Sequence, residues 1–179
     1  MKNVAKNKIW TSLAGRVIGA IAGIAFVSLA ASGAHAQATA TASTGASVTI
    51  ADPIAISKTA DLAFGTVVAS AAAGTVTVGT TNNRTVGGGV SALGGTVTSA
   101  AYTVTGYGTS SYSIALPTSV SLTGPGTAMT ANTFVSSVGG SASLTAGTGS
   151  FAVGATLAVG ANQAAGAYSG TFDVTVAYN

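Results

Sequence analysis

Phe151-Ala152-Val153-Gly154-Ala155-Thr156-Leu157-Ala158-Val159 sets Phe, Val, Ala, Leu and Val at alternate positions between small residues. A chain whose apolar side chains recur every second residue buries one face when extended, which is the period of a β-strand and not of a helix. The same alternation appears elsewhere. Tyr112, Ile114 and Leu116 precede Pro117, Tyr102 and Val104 sit in a Thr-rich run, and Phe172, Val174, Val176 and Tyr178 follow near the end. Leu62 to Ala69 and Thr75 to Gly79 are further strand candidates.

Gly- and Ser-rich stretches punctuate these runs: Gly87-Gly88-Gly89, Gly94-Gly95, Thr123 to Thr127, Gly139-Gly140 and Gly147 to Gly149. Several short strands at this spacing predict an all-β sandwich. A Gly-rich chain can instead stay unfolded, but the alternating Val, Phe, Tyr, Ile and Leu argue against disorder. No long repeat points to a solenoid.

The first 36 residues have the three parts of a secretory signal. Lys2, Lys6, Lys8 and Arg16 form a basic region, Val17 to Ala31 is apolar, and Ala34-His35-Ala36 has the small-x-small pattern of a cleavage site. The apolar run is shorter than the ~20 residues of a membrane span. The expectation is therefore cleavage before Gln37, export through the inner membrane, and no stable membrane insertion afterwards. The expected organisation is a signal over 1–36, an extended N-terminal strand over 37–51 and a sandwich over 52–179.

Removing residues 1–36 from the 179-residue chain leaves 143 residues without Cys, His, Glu or Trp. The remaining charges are Lys58, Arg84, Asp52, Asp61 and Asp173, two positive against three negative, so the whole-chain net charge of +3 comes from the four basic residues of the signal. Such a chain cannot neutralise many phosphates, and no nucleic-acid partner is expected. With no His or Glu as general base and no Cys as nucleophile, the expectation is a non-enzyme. His and Cys are equally the missing ligands for transition metals. Three scattered Asp residues would bind Ca²⁺ only if they converged with carbonyls, and no metal or cofactor is expected. Lys58 and Asp61 read as a solvated pair, and Gly87-Gly88-Gly89 lacks the Lys of a phosphate loop.

Two segments carry the functional reading. Just after the cleavage site, Ala38, Ala40, Ala42, Thr44, Ala46, Val48 and Ile50 alternate with Thr39, Thr41, Ser43, Gly45, Ser47 and Thr49. One face of this extended segment is small and apolar and the other bears hydroxyls, as in a strand that must be buried against something. Asp52-Pro53 interrupts it. Near the end, Phe172, Val174, Val176 and Tyr178 share a face, Asp173 and Thr175 lie opposite, and Gly166 is the fourteenth residue counted back from Asn179.

That second pattern, Gly166 with Phe172, Val174, Val176 and penultimate Tyr178, resembles the subunits of chaperone–usher pili, and the alternating N-terminal extension resembles theirs too. The chain lacks the Cys residues of many such subunits. A broader resemblance covers nearly all of the mature chain. Ser57-Lys58-Thr59-Ala60-Asp61-Leu62-Ala63-Phe64-Gly65-Thr66-Val67-Val68, Tyr112-Ser113-Ile114-Ala115-Leu116-Pro117 and Gly166-Ala167-Tyr168-Ser169-Gly170-Thr171-Phe172 are similar to the domain-of-unknown-function family 4402, whose members are bacterial secreted proteins.

These resemblances imply an immunoglobulin-like, pilin-like β-sandwich whose residues 37–51 are an extended N-terminal donor strand, in a cell-surface fibre subunit joined head to tail to copies of itself by donor-strand exchange and serving adhesion or biofilm cohesion. They also imply a periplasmic chaperone and an outer-membrane usher as partners. The alternatives are a monomeric surface-binding module whose extension completes its own sandwich, and amyloid-like stacking of a β-rich chain of low charge.

Overall fold

A computed structural model describes residues 39–179; the expected signal and Ala38 lie outside the described residues. The described chain is all-β. Its strands are β1 (Ala55–Ala60), β2 (Ala63–Val78), β3 (Arg84–Thr98), β4 (Ala100–Thr105), β5 (Ser111–Ala115), β6 (Ser119–Leu122), β7 (Met129–Ser136), β8 (Ser141–Ser143), β9 (Thr148–Val159) and β10 (Thr175–Tyr178). Seven strands form one sheet along the path β1-β4-β9-β2-β3, with β7 on β9 and β6 on β7. A smaller sheet has the order β10-β5-β8, and the whole is sandwich-like.

β9 is the spine. Phe151, Val153, Ala155, Leu157 and Val159, the alternating residues of the sequence, are all buried. Val153 pairs with both Ala100 of β4 and Ser136 of β7, while residues 156–158 pair with both β2 and β7. β4 and β2 therefore lie end to end along the edge opposite β7. The change of partner falls at Gly154, where a Cβ would collide with the Val78 carbonyl oxygen.

This handover divides the core in two. Near the Thr148 end of β9, Tyr102, Val104, Tyr112, Ile114, Leu144, Phe151 and Val153 are buried together, with Ile54, Ile56, Val174 and Val176 packed against them. Tyr102 and Phe151 stack with ring centroids 5.3 Å apart. Near the Val159 end, Val76, Val90, Met129, Ala131, Leu157 and Val159 form a second cluster. Each fully buried side chain of this size contributes about 1.5–3 kcal/mol.

Two sequence expectations need correction. Leu62–Ala69 and Thr75–Gly79 are not separate strands but parts of β2, and Gly87-Gly88-Gly89 and Gly94-Gly95 lie inside β3 and not between strands. The β2–β3 ribbon pairs from Val78↔Arg84 to Gly74↔Gly88 and again from Ala69↔Val90 to Ala63↔Thr98. Between these stretches Ser70–Ala73 oppose only Gly89, a large bulge of the kind that bends a ribbon sharply. The ribbon doubles back at the Val159 end, where Asn162 N–H donates to the Ser70 carbonyl. Its returning half lays Phe64, Val67 and Ala69 over the second cluster.

Candidate functional site: an apolar groove and an unpaired extension

Among the described residues, the returning half of β2 has a partner on one side only. β3 pairs along Ala63–Ala69, whereas β9 pairs with β2 only through Gly74–Val78. Beside the other edge of Ala63–Ala69 lies a groove of about 780 Å³. Met129, Ala131, Leu157 and Val159 form its floor, Phe64, Val67 and Ala69 one wall, and Leu122, Tyr168 and Phe172 the other. None of its lining residues is charged. Leu93 stands at the rim, 68% exposed. Exposed apolar surface next to open backbone edges is the arrangement that invites an added strand.

The far wall is built from the C-terminal segment. Thr123 and Ser169 exchange backbone hydrogen bonds of 2.9 and 3.0 Å, and Thr175–Tyr178 pair with Tyr112–Ala115. Only Thr175–Tyr178 are a strand, shorter than the alternation from Phe172 suggested. Phe172 leaves the ladder and packs against Phe134, centroids 5.0 Å apart. Gly166, at φ 146°, sits against Pro125 on the groove wall. Val174 and Val176 pack, as Phe172 also does, against the first cluster. The C-terminal residues singled out in sequence are thus shared between groove and closed core.

Sequence reasoning missed the residues that brace this wall. Tyr168 Oη accepts from Gly126 N–H (2.9 Å) and Gln163 Nε2 (2.8 Å) and donates to the Ala164 carbonyl (3.0 Å). Gln163 Nε2 also donates to the Thr127 carbonyl at 2.6 Å. The network ties the 163–168 loop to the 124–127 turn. No local sequence signal marks it, although the alternation of Met129 and Ala131 hints at the floor. A smaller cavity of about 200 Å³ adjoins the groove at Leu62, Gly170 and Phe172 and is bordered by Lys58, Asp61 and Tyr102. Lys58 and Asp61 form an exposed ion pair, which raises the Lys58 pKa, chiefly through the hydrogen bond. Burial raises the Tyr102 pKa.

The N-terminal residues are the converse of the groove. Residues 39–53 are exposed and in no strand. Ala40, Ala42, Thr44 and Ala46 are exposed, and Val48 and Ile50 are 85% and 89% exposed. Ala38 lies outside the described residues. The extension is rooted at the end opposite the groove. Ala55 pairs with Thr105, and Thr105 with Thr148, while Tyr178 Oη donates to the Asp52 carbonyl at 2.8 Å. The groove floor at Leu157 and Val159 lies toward the other end of β9, roughly 30 Å along the strand from Thr148, while the nearer end of the groove, at Leu62 and Phe172, adjoins Ala100 and Tyr102.

The profile of one protein family, described as a domain of unknown function (DUF4402), matches residues 54–178. The chain belongs to the DUF4402 family. The match begins at Ile54, one residue before β1, so the DUF4402 domain includes both walls of the groove while the exposed extension precedes it. No curated protein and no solved structure matches the chain.

Proposed function

We propose that this protein is the structural subunit of an extracellular fibre, in which the extension of one copy, residues 38–50, fills the groove of the next. The carrying observation is the pairing of an apolar, half-edged groove with an exposed alternating segment rooted at the opposite end of the same domain. An exchange between opposite ends is head to tail and heterologous, which generates an open filament. Export, surface localisation and a role in adhesion or biofilm cohesion belong to this reading, as do an assisting periplasmic chaperone and outer-membrane usher.

The size gradient of the extension favours insertion into a neighbour over self-insertion. Within its own domain the extension has to climb about nine β9 residues, roughly 30 Å, to reach the level of Leu157. That brings Ala40 and Ala42 to the Leu157–Val159 floor and leaves Val48 and Ile50 at or below the near end of the groove, by Leu62 and Phe172. In a neighbour, Ile50 and Val48 enter at the Val159 mouth, where the large floor side chains lie. The incoming strand then runs parallel to Ala63–Ala69 and antiparallel to the C-terminal wall. Fully buried, Val48 and Ile50 each contribute about 1.5–3 kcal/mol, and each new backbone hydrogen bond about 0.5–1.5 kcal/mol.

Deletion of residues 37–50 tests the reading. Truncated subunits should stay monomeric and bind a synthetic peptide of residues 37–53, measured by calorimetry. Fibres of ordinary appearance from the truncated protein would refute it.

A further inference from the structure

Residues 39–51 are exposed, but the root of the extension is held. Tyr178 Oη donates to the Asp52 carbonyl (2.8 Å) and accepts from the Tyr107 N–H (2.7 Å). The phenol occupies the space beside Gly106, where a Cβ would collide with Oη. Pro53, with its fixed φ, follows at once. Asp52 is thereby fastened to the C-terminal strand and to the 106–110 loop at the Thr148 end of the domain.

We propose that this anchor makes the junction between subunits a short, stiff coupling, with the end of one subunit resting on the groove mouth of the next. The inference rests on the donor-strand reading above. Between Ile50, seated in the neighbour's groove, and the fastened Asp52 lies only Ala51. Two residues of extended chain reach about 7 Å, too little to keep two domains apart. Tyr107, 42% exposed, and Gly108 at the rooted end then meet Ser70–Ala73 and Gly160–Asn162 of the second copy, which flank the Val159 mouth. Those receiving segments are exposed, small and uncharged, suited to close apposition of another copy. The groove supplies adhesion between copies, and the pole-to-pole contact supplies direction.

The test compares fibres of the full-length protein with those of Tyr178→Phe and of a chain carrying Gly-Ser inserted after Ala51. Electron microscopy reads persistence length and axial repeat, and calorimetry reads affinity for the 37–53 peptide. Tyr178→Phe keeps the ring and removes both hydrogen bonds. It should lower persistence length severalfold while peptide affinity is unchanged. The insertion should lengthen the repeat by up to about 7 Å and loosen the fibre in the same way. Fibres of unaltered stiffness and repeat in either variant would overturn the coupling and leave strand exchange standing. A native chain that forms no fibre overturns strand exchange itself, and the coupling with it.

Discussion

Arg84 and Phe64 stand twenty residues apart, and Nη1 of the arginine donates to the Phe64 carbonyl at 3.0 Å. The same nitrogen lies 3.2 Å from the Thr66 carbonyl and 3.0 Å from that of Gly94. Arg84 begins β3 in the outgoing half of the ribbon, while these three carbonyls belong to the returning half. The guanidinium therefore staples the groove wall to the sheet, in space left open at Gly65, where a Cβ would collide with it.

Replacing Arg84 by Met removes a charge-assisted donor from three carbonyls. A loss of about 1.5–3 kcal/mol is expected in urea unfolding, together with weaker binding of the 37–53 peptide. Arg84→Lys, which retains a cationic donor, should recover part of both.

The two large side chains of the extension should dominate exchange. At roughly 0.8 kcal/mol per buried carbon removed, Val48→Ala in the peptide costs about 1.6 kcal/mol and Ile50→Ala about 2.4 kcal/mol. These correspond to ~15-fold and ~50-fold in Kd. Ala40→Gly should cost far less. Equal effects at all three positions, measured by calorimetry, would contradict the proposed direction of entry.

Leu157 lies in the groove floor and in the second core cluster. Leu157→Ala should destabilise the monomer by about 2–5 kcal/mol in denaturant titration. The cavity it leaves is next to the groove, so bound peptide should not restore the full loss.

Alkaline pH should weaken the fold. Burial raises the pKa of Tyr102 and Tyr112 above the usual value of 10.0. Their contribution is fully present below that value and is lost as pH rises through the raised folded-state pKa. The exposed Lys58–Asp61 pair changes in the same direction above the ordinary Lys value of 10.5, but its solvation makes it a minor contributor. Thermal melts followed by tyrosinate absorbance should show unfolding and phenol ionisation occurring together above pH 10.

Much of the fold was legible because its longest buried strand is written in a two-residue period. β9 requires no knowledge of distant contacts to be recognised, and Tyr112 with Ile114 marks β5 in the same way. The doubled ribbon was not legible. Gly87-Gly88-Gly89 and Gly94-Gly95 look like breaks because glycine weakens a strand interior, whereas here they let a single paired ribbon bend and bulge. The extension could be read locally as an unmet apolar face. The groove could not, because its floor, its walls and the Tyr168 brace come from β2, β7, β9 and the 163–172 segment and meet only in three dimensions. The C-terminal alternation was only half informative, since Phe172 lines the groove as well as packing against the first cluster, whereas Val176 only does the latter.

In the proposed fibre, the end-to-end placement of β4 and β2 along β9 also determines how tension is carried. A pull on the extension enters through β1, passes to β4 and then to β9, and reaches the groove floor through residues 155–159 of the same strand. At each transfer the hydrogen bonds run across the direction of pull. The bonds of a ladder are then loaded together in shear and do not open one after another like a zipper. A thread built this way resists stretching without a single covalent cross-link.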